Sequence, residues 1–157
     1  MGEIFILVEH RQGKIRDITY EMLGIGEKIA QERGDSFIAV LLGRGVKTLA
    51  EELALRAPRV LVVEDEKLEN FNPLPYQKAL SALYSKYKPI LTLIGHTAFG
   101  MDLAPRVSVE LGLPLATDCI GLSTEGTRLR ATRSIYGGKV QAGVSLRYIS
   151  DRKDLYK

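Results

Sequence analysis

The segment Gly95-His96-Thr97-Ala98-Phe99-Gly100 lies between an apolar run and a stretch with helical spacing. A loop leading into a helix points backbone N–H groups and the positive end of the helix dipole outward, and both favour an anion. Gly95, His96 and Gly100 are therefore candidates for contact with a nucleotide such as AMP. No Lys-Ser or Lys-Thr follows Gly100, so this is not the phosphate loop of a nucleotide hydrolase. Nor does a Gly-x-Gly-x-x-Gly fingerprint follow the first apolar run. The competing reading is that the two glycines permit a tight turn and close packing.

Asp102, Pro105 and Arg106 come next. A carboxylate at a helix start complements the dipole and caps free N–H groups, which suits Asp102. Arg106 is placed to pair with it four residues on, and Pro105 is expected in the first turn. No base or nucleophile beside them completes a catalytic set, and no catalytic residue is assigned. His10 and His96 both follow apolar runs and are expected at one sheet edge. A pair titrating near neutrality could handle protons there, but two histidines without a third partner are more often capping or surface residues. Cys119, the only cysteine, reads as a small buried thiol whose ionisation Asp118 opposes. Asp118, read in an apolar strand, needs a partner, and Arg133 on a neighbouring strand is the candidate.

A second distinctive segment is Ser134-Ile135-Tyr136-Gly137-Gly138-Lys139. Paired glycines allow a turn with positive φ between strands. Arg133, Tyr136, Gly137, Gly138 and Lys139 would then cluster, facing a phosphate, a flavin edge or an acidic subunit surface. A plain hairpin with charged strand ends is the alternative.

The elements that would position these residues follow from periodicity. Glu3–Glu9, Ser36–Leu42, Arg59–Val63 and Pro89–Gly95 are short apolar runs that read as buried strands. Between them, Asp17–Arg33, Thr48–Ala57 and Pro73–Tyr87 read as helices, and Asp102–Leu111 as a fourth. The inward faces are expected to carry Ile18, Met22, Ile25, Ile29 and Ala30, then Leu49, Leu53 and Ala54, then Ala79, Leu80, Leu83 and Tyr87. Almost wholly apolar strands alternating with helices predict an open, mainly parallel α/β sheet with helices on both faces. The rhythm then breaks. Leu115–Ser123, Arg128–Ser134 and Lys139–Arg147 read as three successive antiparallel strands in the last third. One domain over residues 1–149 and a polar tail over 150–157 are expected.

Composition sets the bounds. The 157 residues are 45% hydrophobic and 26% charged, enough to bury a core in one domain. One cysteine and two histidines leave no internal disulfide and too few ligands for a zinc cluster. No apolar run of about 18 residues predicts a membrane span. The amino terminus lacks the pattern of a signal peptide, so a cytoplasmic location is expected. The net charge of +3 is mild, and no nucleic-acid partner is expected. Arg128, Arg130, Arg133, Lys139 and Arg147 give the last third a basic cast that could meet phosphate, an acidic partner or only solvent.

An ordered series of motifs resembles the amino-terminal domain of electron transfer flavoprotein alpha subunits. The series is Ile6-Leu7-Val8-Glu9-His10, Glu21-Met22-Leu23-Gly24, Gly45-Val46 with Leu49 to Leu53, Asp102 to Arg106, Asp118-Cys119, and Thr132 to Lys139. It runs from about residue 4 to 147. Ser134 departs from it, standing where the family often has proline. The resemblance implies an adenine-nucleotide-hydrolase-like fold and a heterodimer with a beta-type subunit. It also implies FAD in the assembled complex and electron transfer from dehydrogenases. The family's principal FAD site lies in a carboxyl-terminal domain beyond this stretch, so FAD is not expected on this chain alone. The leading expectation is a scaffold and docking module without catalysis of its own. A stand-alone adenine-nucleotide-binding protein and a homodimer paired through the late strands are the alternatives.

Overall fold

The computed structural model describes residues 2–126, 128–135 and 140–147. They fall into two compact units, within Met1–Leu115 and Ala116–Lys157.

The first unit is built on a parallel sheet of β1 (Glu3–Leu7), β4 (Ser36–Gly43), β5 (Val60–Glu64) and β6 (Leu91–Leu93), in the order β5-β4-β1-β6. Ile6 of β1 lies opposite Ala39 on one side and Leu93 on the other. Central β1 is apolar throughout its buried length because it has no solvent face; Ile4, Phe5 and Ile6 are fully buried. The chain moves outward from β1 to β4 and β5, then crosses back to β6 on the far side of β1. Strand order therefore reverses between β1 and β6, where open sheets of this kind form a crevice beyond the strand ends.

Helices α1 (Asp17–Arg33), α2 (Lys47–Ala54), α3 (Pro73–Tyr87) and α4 (Ala98–Leu111) complete the unit. Phe5, Leu7, Ile38, Val40 and Leu42 pack against Tyr76, Leu80 and Tyr84 of α3 and Leu103 and Val107 of α4. On the other face Gly26 of α1 approaches Ile6 so closely that a Cβ there would overlap the Ile6 side chain. That approach rotates α1 from its expected face. Thr19, Met22, Leu23, Gly26, Ile29 and Ala30 are buried, whereas Ile25 is 39% exposed. In α2, Leu49 and Leu53 are buried and Ala54, the last helical residue, is exposed. In α3, Tyr76 and Tyr84 join Leu80 inside, with Ala79, Leu83 and Tyr87 partly buried.

The stretch after β1 is a small antiparallel ribbon of β2 (His10–Arg11) and β3 (Lys14–Ile15). Its two turn residues, Gln12 and Gly13, have φ of 52° and 75°, the left-handed pair that a two-residue hairpin requires.

The second unit contains β7 (Cys119–Glu125), β8 (Arg128–Ile135) and β9 (Val140–Arg147), an antiparallel meander in that order. Register runs from Cys119 opposite Arg133 to Glu125 opposite Arg128, with an irregularity between Cys119 and Gly121. The three late strands are as expected, although the first begins at Cys119 rather than Leu115. Tyr136, Gly137, Gly138, Lys139 and the polar tail lie outside the described residues.

Candidate functional site

At the reversal point the carboxyl ends of β1 and β6 lie by the amino terminus of α4. Glu9 follows β1, and its side chain is only 8% exposed. Its backbone is anchored to α1: the Glu9 N–H donates to Thr19 Oγ1 at 2.9 Å, and the Thr19 hydroxyl donates to the Glu9 carbonyl at 3.1 Å. The carboxylate reaches across to the end of β6. Thr97 Oγ1 donates to Glu9 Oε2 at 2.8 Å, and Arg16 Nε stands 3.7 Å from Oε1.

Thr97 is also the amino-terminal cap of α4. Its hydroxyl oxygen accepts the Gly100 N–H at 3.2 Å while its proton goes to Glu9. The helix therefore starts at Ala98, four residues before the expected Asp102, and Gly100 lies inside its first turn. A Cβ on Gly100 would overlap the Gly95 carbonyl. A Cβ on Gly95 would stand 2.9 Å from Ile18 Cγ1 and 3.2 Å from Glu9 Oε2. Close packing thus accounts for both glycines. His96, between them and the cap, is exposed.

The earlier start of α4 also moves its other residues. Asp102 is not the cap; it pairs with Arg106 at 3.4 Å on the exposed face, as the four-residue spacing predicted. Pro105 is not in the first turn but inside the helix.

His10 turns toward β4, and its Nε2 is 2.7 Å from the Leu42 carbonyl. A carbonyl only accepts, so Nε2 carries the proton. The same carbonyl accepts the Tyr76 hydroxyl at 3.2 Å. His96 follows β6, on the opposite side of β1, so the two histidines extend from different flanks of the central strand.

Strand ends elsewhere on this edge also carry carboxylates that serve the backbone. Glu64 Oε1 accepts the Val46 N–H at 3.0 Å, ahead of α2, and Asp65 Oδ1 accepts the Lys67 N–H at 2.8 Å.

In the second unit, Cys119 is exposed rather than buried. Partial desolvation raises its thiol pKa; Asp118 acts in the same direction and Arg133 against both. Asp118 precedes β7 with φ of 52° and is exposed, so it is not the buried strand acid that the sequence suggested. Arg133 donates from Nε to the Thr117 carbonyl at 2.6 Å and from Nη2 to Thr117 Oγ1 at 3.1 Å. Arg130 pairs with Glu125 at 2.7 Å.

Among the described residues, no group of three or more His, Cys, Asp or Glu is placed to hold a metal. None of their helices is long and apolar enough to cross a membrane.

Glu9 is legible in the sequence as a strand-end residue, but its pairing with Thr97 and Thr19 is not. The available signal was a hydroxyl residue three positions before Gly100, the spacing of an amino-terminal cap.

Comparison with known proteins covers most of the chain. Residues 4–146 match the family model described as the electron transfer flavoprotein domain. The electron transfer flavoprotein subunit alpha of Syntrophomonas wolfei is 40% identical over 147 residues, covering 93% of this chain and 45% of that protein. The subunit of the same name from Thermoanaerobacterium thermosaccharolyticum is 38% identical over 144 residues, covering 90% and 44%. The acryloyl-CoA reductase electron transfer subunit beta of Anaerotignum propionicum is 30% identical over 167 residues, covering 90% and 46%. The chain spans less than half the length of these relatives.

Proposed function

This chain belongs to the electron transfer flavoprotein domain family, and on that premise we propose that it is the amino-terminal scaffold domain of an alpha-type subunit that docks a beta-type subunit in FAD-dependent electron transfer. The observation that carries the proposal is the family match over residues 4–146, together with relatives that bear the alpha-subunit name. In this reading residues 1–149 act as one domain, and the complex works in the cytoplasm. The segment from Arg133 through Tyr136, Gly137, Gly138 and Lys139 is the part of the chain proposed to meet the partner subunit or its flavin.

The flavin supplies the redox chemistry in this reading, and it is held by the assembled complex rather than by this chain alone. A flavin dinucleotide needs a cradle for its pyrophosphate. The Gly95–Gly100 turn is a poor fit: each glycine lies against protein atoms, and the nearest charged neighbour of Gly95 is a carboxylate. No redox step is assigned to a residue of this chain. Its contribution is to present protein surfaces to a flavin-bearing partner.

Absorbance spectroscopy of the chain purified alone tests the cofactor half of the proposal. A colourless protein is expected. Stoichiometric flavin would contradict it.

A further inference from the structure

We propose that the Glu9 carboxylate is the resident anion of the sheet's reversal point, and that it bars phosphate-bearing ligands from the amino terminus of α4. This does not depend on which partner the chain docks. Open parallel sheets hold ligands at this crevice, and a helix amino terminus there ordinarily attracts a negative group. Here the negative group comes from inside the fold. Glu9 Oε2 takes the Thr97 hydroxyl proton at 2.8 Å, and Thr97 Oγ1 takes the Gly100 N–H at 3.2 Å. One free N–H of α4 is thus satisfied through a chain that ends on Glu9.

Space and charge both favour exclusion. The position a Gly95 Cβ would fill is 3.2 Å from Glu9 Oε2, and the Glu9 side chain is 8% exposed. A phosphate brought to this turn would meet a fixed negative charge where little water screens it. Arg16 Nε stands 3.7 Å from Oε1, and it is the other oxygen, Oε2, that meets Thr97 and the Gly95 position. At the end of β5 another carboxylate is turned onto the protein's own donors: Glu64 Oε1 accepts the Val46 N–H at 3.0 Å ahead of α2. Glu9 is then a specificity-determining residue: it makes a crevice of ligand-binding architecture reject anions.

Titration calorimetry on the full chain tests this with AMP, adenosine and inorganic phosphate as probes. Glu9→Gln keeps an oxygen for the Thr97 hydroxyl and removes the charge. Wild type is expected to give no saturable heat with millimolar AMP or phosphate. Glu9→Gln is expected to bind AMP at least about tenfold more tightly, with a shift of the Gly100 amide resonance. Equal binding by both proteins, no gain in the variant, or a gain that leaves the Gly100 amide unmoved would each overturn the proposal. If Glu9→Gln does not fold, wild type decides the matter alone. AMP is expected to bind no more tightly than adenosine, and a clear preference for AMP would overturn the exclusion.

Discussion

The Thr97 hydroxyl joins two residues 88 positions apart in sequence, Thr97 and Glu9, at 2.8 Å, and the same oxygen accepts the Gly100 N–H at 3.2 Å. One side chain therefore fixes the start of α4 to the end of β1. Thr97→Val keeps the shape and removes both bonds. It is expected to destabilise the chain by about 1–3 kcal/mol, the range for losing a cap together with a hydrogen bond to a charged group. Thr97→Ser should recover most of that loss. Urea denaturation midpoints check both.

Gly100→Ala and Gly24→Ala should move stability in opposite directions. Alanine is the better helix former by about 1 kcal/mol, and both glycines are helical. Around Gly24 nothing lies within 4 Å of a new Cβ, so that variant is expected to be neutral or stabilised. At Gly100 the new atom meets the Gly95 backbone carbonyl, which cannot rotate away. A net loss of about 1–3 kcal/mol is expected there, and thermal melts of the two variants provide the check.

Asp35 should make stability acid-sensitive. Burial by itself would raise its carboxyl pKa, but the Gly2 N–H at 2.7 Å and Arg33 at 2.8 Å together bring it below the usual carboxylate value. A lowered folded-state pKa adds stability above the unfolded value, and that stability is lost as pH falls through the folded one. Denaturation midpoints measured across acid pH should therefore fall more steeply in wild type than in Asp35→Asn. The variant's deficit at neutral pH, about 1–3 kcal/mol, should shrink on acidification.

At the alkaline end the sign reverses. Burial pushes the Tyr76 phenol up from 10.0 to about 12, and burial raises Tyr84 as well. The folded state then holds protons that the unfolded state has released, so stability should fall as pH rises through this window. Tyrosinate absorbance should show late-ionising phenols in the native chain, and Tyr76→Phe should remove one of them.

Much of the fold was legible because apolar periodicity reports burial directly. Helices α1 and α3 begin and end at the residues their spacing and flanking Gly and Pro indicated, and the four parallel strands stand out as apolar runs. The start of α4 was obscured because Gly100 reads as a loop residue, while its role is to let a helix turn pass against the Gly95 carbonyl. The buried face of α1 was displaced for a similar reason: Thr19 and Gly26 look unsuited to a core until Glu9 and Ile6 are seen against them. Cys119 and Asp118 look like strand-interior residues because an apolar stretch from Leu115 precedes them, whereas the strand starts only at Cys119. The Glu9–Thr97 bond was not legible, since sequence shows neither which strands are neighbours nor where two loops converge.

Docking to a beta-type subunit is most directly tested by co-expressing this chain with a beta-type electron transfer flavoprotein subunit and resolving the mixture by size-exclusion chromatography with light scattering. A one-to-one complex is the predicted result. Separate elution of the two chains at concentrations well above micromolar would contradict the account.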